Sequence, residues 1–166
     1  VKRWYFTGTL RGDHLQDVSF QGKSDATGED WSAAGKIGRL EISQRLLQSL
    51  PADLSQHLSF LTSLVADADL GFRIGHRKGS PQPVDFVLEG GLSEGSVEDP
   101  RLPFGLSKLQ AGIYCDNQQL RITNVEAQSG STKLKLNCTC DDYLRAPRLK
   151  LDASIDDLPL DGRLYR

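Results

Sequence analysis

The sequence predicts a β-rich α+β fold: a large, twisted antiparallel sheet in meander order, with two short helices packed on it. Three observations carry that prediction. Near the C-terminus, Leu134, Leu136, Cys138 and Cys140 alternate with Lys133, Lys135, Asn137, Thr139 and Asp141, while Leu149, Leu151, Ala153 and Ile155 alternate with Arg148, Lys150, Asp152, Ser154 and Asp156. A period of two puts the apolar residues of a strand on one face and the polar residues on the other. Short turn segments such as Asp116-Asn117 and Ser129-Gly130 separate these runs, so each strand lies beside its sequence neighbour. Between residues 43 and 65, by contrast, the apolar spacing becomes that of a helix.

In chain order, residues 4–10 and 15–22 read as strands joined by the turn Arg11-Gly12-Asp13-His14, with Val18 and Phe20 on one face. A polar loop follows over 23–30. Trp31, Ala33, Ile37, Leu40 and Ile42 make a third strand, and its alternation slips by one near Gly38, which predicts a β-bulge. Ser43 stands where an N-cap belongs, ahead of a helix over 44–50 that Pro51 stops. A second helix begins at Asp53 or Ser55 and carries Leu54, Leu58, Leu61, Leu64 and Val65 as its apolar stripe. Leu70, Phe72 and Ile74 alternate again, and the basic turn His76-Arg77-Lys78-Gly79-Ser80-Pro81 leads to Val84, Phe86 and Leu88. Gly90, Gly91 and Gly95 loosen the chain up to Pro100 and Pro103. Leu109, Ala111, Ile113 and Cys115 then open a four-strand meander, continued by Leu120, Ile122, Val125 and Ala127, in which Asn124 shifts the register. The two long strands named first complete it.

One domain over residues 1–166 accounts for the length. With 20 Lys+Arg against 22 Asp+Glu, no net field favours nucleic acid, which is set aside as a partner. No apolar run approaches the roughly 18 residues of a membrane span, and the first residues lack a signal-peptide core. The chain begins on Val1 and contains no Met, which predicts a piece of a longer protein. Cys138 and Cys140 share a strand face and Cys115 stands apart; all read as small buried hydrophobes, with a disulfide from Cys115 to either partner left open.

No grouping of residues points to catalysis. His14, His57 and His76 are far apart and show no metal-ligand spacing, and Gly95-Ser96 is only a fragment of a nucleophile elbow. The adjacent carboxylates Glu29-Asp30, Glu98-Asp99, Asp141-Asp142 and Asp156-Asp157 diverge on strands and solubilise in loops. The glycines at 90, 91 and 95 lack the Lys and following helix of a phosphate loop. The expectation is a noncatalytic protein with no cofactor and no metal, and a solvated basic turn at 76–81.

A weak internal repeat is also present. Ile37-x-x-Leu40-x-Ile42-Ser43-x-x-Leu46 matches Ile155-x-x-Leu158-x-Leu160-Asp161-x-x-Leu164, each the end of a strand, an N-cap and the first apolar position of a helix. Such repeats predict an extended stack. The stretch Leu102-Pro103-Phe104-x-Leu106-x-x-Leu109-x-x-Gly112-Ile113, then Asp116-x-x-x-Leu120-x-Ile122-x-Asn124-Val125-x-Ala127-x-x-Gly130-x-x-x-Leu134-x-Leu136, and finally Asp157-Leu158-Pro159-Leu160-Asp161, resembles the AsmA-like proteins, relatives of TamB. The likeness covers residues 101–164, and more loosely 31–50.

That resemblance implies a cell-envelope protein of diderm bacteria, anchored at the inner membrane, whose repeating β-groove crosses the periplasm and carries phospholipid. A curved sheet with one apolar face can hold acyl chains at about 0.8 kcal/mol per buried CH₂ while its other face stays wet. The candidate lining is Leu109, Ala111, Ile113, Leu120, Ile122, Leu134, Leu136, Leu149, Leu151 and Ile155. Two readings of that face stand open, a groove for lipid acyl chains and an ordinary core covered by helices from residues 46–65. A third possibility, from another class, is an adhesion or protein-interaction module that recruits a partner strand at a sheet edge.

Overall fold

Among the described residues, alternating runs follow one another along the chain, and each becomes a strand. The computed structural model describes residues 2–49, 62–102, 104–143 and 145–157. Among these, nine strands are ordered along the chain: β1 (Arg3–Gly12), β2 (Leu15–Asp25), β3 (Trp31–Ile42), β4 (Leu64–His76), β5 (Val84–Val97), β6 (Leu106–Asp116), β7 (Gln119–Ser129), β8 (Thr132–Asp141) and β9 (Arg148–Asp156). They form one sheet in the order β1-β2-β3-β4-β5-β6-β7-β8-β9, every pair antiparallel. The predicted four-strand meander therefore extends through all nine described strands. At about 4.8 Å between neighbours the sheet is roughly 38 Å wide, and its longest strands reach about 45 Å.

The expectation of two helices packed on the sheet is not met. Among the described residues one helix, α1 (Gln44–Ser49), lies between β3 and β4. Ser43 caps it as expected: Leu46 N–H donates to Ser43 Oγ at 3.4 Å and Leu47 N–H to the Ser43 carbonyl at 3.1 Å. Of the second predicted helix, Leu54, Leu58 and Leu61 lie outside the described residues, and Leu64 and Val65 open β4 instead. Their helical spacing is a coincidence at the boundary, because Leu64, Ala66, Ala68 and Leu70 alternate with Val65, Asp67 and Asp69 in the period of a strand. At 1.5 Å per residue, the six residues of α1 are about 9 Å long, so α1 cannot roof a face this wide.

Two other expectations are corrected. Residues 23–25 belong to β2 rather than to a loop, and Gly90, Gly91 and Gly95 do not loosen the chain but lie inside β5. Gly90 pairs with Leu70 on one side and Ile113 on the other, and a Cβ there would run into the Asp69 carbonyl oxygen. Glycine is needed at that point because strand backbones approach too closely for any side chain.

Bulges interrupt the ladders in register. The slip predicted near Gly38 is found between Ile37 and Leu40, where Arg39 takes φ 46°; similar turns of the backbone occur at Glu94 in β5, Lys108 in β6 and Asn124 in β7. Neighbouring strands hold two of them open in the same way. Arg39 N–H donates to Asp69 Oδ1 at 2.9 Å, and Asn124 N–H to Asn137 Oδ1 at 2.8 Å. Each bulge adds polar residues to one side while keeping the apolar residues in phase on the other, and bulged strands bend and coil more strongly. Beside these bulges the apolar side carries small residues, Ala66, Ala68, Ala111 and Ala127, all buried. Of the internal repeat, Asp157 takes φ 56° where its counterpart Arg39 takes 46°, and residues from 158 onward lie outside the described part.

Candidate ligand-binding face

Antiparallel pairing puts directly opposed residues on the same side of a sheet, so the register alone decides which side chains share a face. Following the pairs across the sheet gives one unbroken row on all nine strands: Gly8, Phe20, Gly35, Phe72, Leu88, Cys115, Leu120, Cys140 and Leu149. A second row is as complete: Leu10, Val18, Ile37, Leu70, Gly90, Ile113, Ile122, Cys138 and Leu151. Neither contains a charged residue. The row that faces the other way reads Thr9, Ser19, Lys36, Gly71, Glu89, Tyr114, Arg121, Thr139 and Lys150. One side of the sheet is thus apolar from edge to edge, and the other is polar.

The sequence-predicted lining residues all belong to the apolar side, but their environments differ. Ala111 is buried; Leu109, Ile113, Leu120, Ile122, Leu134 and Leu136 are half-buried; Leu149, Leu151 and Ile155 are exposed by 67%, 57% and 49%. Among the described residues no large apolar side chain of this face is fully buried, whereas Ala66 and Ala68 are. A face covered by a second layer would hide its largest residues best. Here the smallest are the best hidden, as expected of a single layer with no second layer over it among the described residues. Sequence reasoning missed the N-terminal half of this face, including Val18, Ile37, Leu70, Phe72 and Leu88. The alternation of 70/72/74 and 86/88 was its signal, obscured by the glycines that follow. Aromatic rings cover other glycines across the pairing: Phe20 over Gly8, Phe6 over Gly22 and Phe72 over Gly35.

Polar groups gather at the turn between β6 and β7, with Tyr114 and Asp116 on the polar side of the sheet. Asp116 Oδ1 accepts the N–H groups of Gln118 and Gln119, both at 2.8 Å, and Tyr114 Oη donates to Asp116 Oδ2 at 2.9 Å. These hydrogen bonds, that of Gln118 foremost, hold the Asp116 carboxyl below its ordinary pKa. Tyr143 Oη donates to the Asp116 carbonyl at 2.7 Å and accepts from the Cys115 thiol at 3.5 Å, and its burial there pushes its phenol above the usual value. The three cysteines are free and half-buried. A disulfide from Cys115 to Cys138 or Cys140 is ruled out by the topology: β7 separates β6 from β8, so the Cα atoms are held about 9–10 Å apart, beyond the roughly 7 Å limit of a bridge.

The remaining singled-out residues are used locally. The basic turn is not simply solvated: Lys78 pairs with Glu29, Lys78 N–H donates to Asp30 Oδ1 at 2.9 Å, and His76 Nδ1 lies 2.6 Å from the Glu29 carbonyl oxygen while its ring stacks on Trp31. Glu29 and Asp30 are thereby committed to fixing one loop to another. Asp99 binds Arg101 and Ser63, and the Arg101 guanidinium holds its carboxyl far below the usual range. Asp141 accepts from Gln119. His14 lies at the β1–β2 turn, where its carbonyl accepts from Glu41 N–H, and His57 lies outside the described residues. No cluster of three or more His, Cys, Asp or Glu suited to a metal occurs among the described residues, and no helix there is long and apolar enough to cross a membrane. No family model, no curated protein and no solved structure matches the chain.

Proposed function

We propose that this chain is a lipid-handling segment of an AsmA-like cell-envelope protein, noncatalytic, whose apolar sheet face takes phospholipid acyl chains. One observation carries the reading above the others: two rows of apolar or glycine residues run unbroken across nine strands of a single-layer sheet, and no large apolar side chain on that face is fully buried among the described residues. Exposed apolar patches beyond a few hundred Å² on a soluble protein mark a binding surface. A surface that is long, continuous and free of charge suits a flexible hydrocarbon better than a compact ligand, because acyl chains need area and no hydrogen bonds. Each CH₂ transferred onto it contributes about 0.8 kcal/mol. The resemblance of residues 101–164 supplies the envelope setting and the inner-membrane anchor of the parent protein, both parts of the proposal.

The test is native and denaturing mass spectrometry of the protein purified without detergent. Phospholipid released on denaturation, in stoichiometric amount, is the expected result. A lipid-free protein that also takes up none from added vesicles would overturn it. A second reading, a protein-interaction module, is favoured by a separate observation: among the described residues neither edge strand is paired on its outer side, and the two expose Trp4, Leu10, Leu149 and Leu151. Under that reading the chain captures a partner strand and releases no lipid.

A further inference from the structure

Antiparallel meander order puts alternate turns on opposite rims of the apolar face. The turns that follow β2, β4, β6 and β8 lie along one rim, and those that follow β1, β3, β5 and β7 along the other. The two rims differ in one class of residue. Every Trp and Tyr among the described residues lies within two residues of a strand end on the first rim: Trp4, Tyr5, Trp31, Tyr114 and Tyr143. On the apolar side, Trp4, Ser24, Trp31, His76 and Val84 make up the last row before that rim. The His76 ring lies nearly parallel to Trp31, with centroids 6.3 Å apart. Tyr143 reaches the same side from the β8–β9 turn, since its hydroxyl accepts from the thiol of Cys115, a member of an apolar row, and its own bond to the Asp116 carbonyl fixes it there. The apolar side of the second rim is aliphatic instead, with Leu10, Leu40, Leu64, Val97, Leu106 and Ile155.

We propose that the aromatic rim is the headgroup side of the apolar face, with the glycerol esters and phosphate of a bound phospholipid set against Trp4, Trp31, His76 and Tyr143. Trp and Tyr rings bury an apolar body while keeping one N–H or O–H at a wet edge, so they concentrate where hydrocarbon gives way to water. A phospholipid has one such boundary, between its acyl chains and its headgroup. The aliphatic rim offers its side chains to hydrocarbon alone. Along β4 the two rims stand about 40 Å apart, against the roughly 15 Å of hydrocarbon in one bilayer leaflet, so a headgroup at one rim is remote from the other. From the aromatic rim the acyl chains extend over Ile113, Leu120 and Ile122, and the lipid lies on the face one way round. This assignment rests on the lipid reading above and adds an orientation to it.

Nuclear magnetic resonance of the whole chain, loaded with phosphatidylcholine from vesicles and then separated from them, tests it with two spin-labelled lipids. A nitroxide on the choline headgroup is expected to abolish the indole N–H signals of Trp4 and Trp31 and to spare the methyls of Leu40, Leu64 and Leu106. A nitroxide near the acyl chain end reports on Ile113, Leu120 and Ile122 and so tests the lipid reading by itself. Headgroup broadening at the aliphatic rim, or equally at both rims, overturns the orientation even where the chain-end label broadens those three methyls. No broadening by either label overturns the lipid reading and the orientation with it. Trp4→Leu with Trp31→Leu keeps the rim apolar but removes both N–H groups and is expected to weaken lipid uptake by about threefold or more; unchanged uptake by the folded variant would contradict the proposal.

Discussion

The middle of the sheet and its two edges are built from the same alternating pattern, yet they end in different environments. In β4 and β7 the apolar side includes residues hidden almost completely, with Ala66, Ala68 and Ala127 at 1%, 0% and 2% exposure. In β1 and β9 the equivalent side chains lie open, Trp4 at 59%, Leu10 at 60% and Leu149 at 67%. The sequence pattern does not differ, so the difference comes from neighbours. A central strand has a partner on either side, whereas an edge strand has one partner among the described residues. A single-layer sheet therefore buries its middle and leaves its margins exposed. The apolar face thus grades from buried to exposed across the width of one sheet.

Substitutions break or sharpen that contrast. The largest expected effect is at Val125, 9% exposed and beside the β7 bulge: Val125→Asp places a charge where it cannot be hydrated and costs about 3 kcal/mol or more, seen as loss of cooperative urea unfolding. Gly90→Ala follows, at about 2 kcal/mol, because its Cβ meets the Asp69 backbone and forces β4 and β5 apart; a midpoint unchanged from the unaltered protein would mean those strands are not tightly paired. Removing the cap with Ser43→Ala lowers stability by about 1 kcal/mol in the same assay. At the open margin, Leu151→Asp shifts the midpoint by no more than about 0.5 kcal/mol while lowering uptake of phospholipid from vesicles. Equal destabilisation by Val125→Asp and Leu151→Asp would erase the distinction between middle and margin.

Acid provides a separate check on the turn between β6 and β7. Folding lowers the Asp116 carboxyl below its unfolded value, so its contribution is present above about pH 4 and disappears as pH falls through the folded value. Asp116→Asn should flatten part of the loss of stability below about pH 4, and an unchanged acid profile would show that the turn at 116–119 is held by other means.

Much of the fold was legible because period-two alternation survives any bulge that adds residues only on the polar side. Gly38 announced its bulge and Asn124 its register shift, and the strands of Leu134 and Leu149 fell where their alternation put them. What misled was local. Leu64 and Val65 fit the end of a helical stripe as well as the start of a strand, since two residues cannot define a period. Glycines 90, 91 and 95 look like a flexible linker in one dimension, and only the approach of the Asp69 carbonyl explains why glycine stands in the middle of the longest strand. For the site, the C-terminal half of the face was readable, while its extension to β1 depends on pairings no single strand reveals. The exposure of Leu149 against that of Leu136 was likewise invisible, because it follows from position in the sheet rather than from the alternation both strands share.

The central claim is that the apolar face is open to hydrocarbon. Methyl-labelled protein mixed with phospholipid carrying a spin label near the end of one acyl chain tests it most directly, through paramagnetic broadening of individual Leu, Ile and Val signals. The account predicts broadening of Ile113, Leu120, Ile122, Leu136 and Leu151, with the polar-side Val87 spared. Broadening that is absent from those methyls, or no stronger than at Val87, would contradict it.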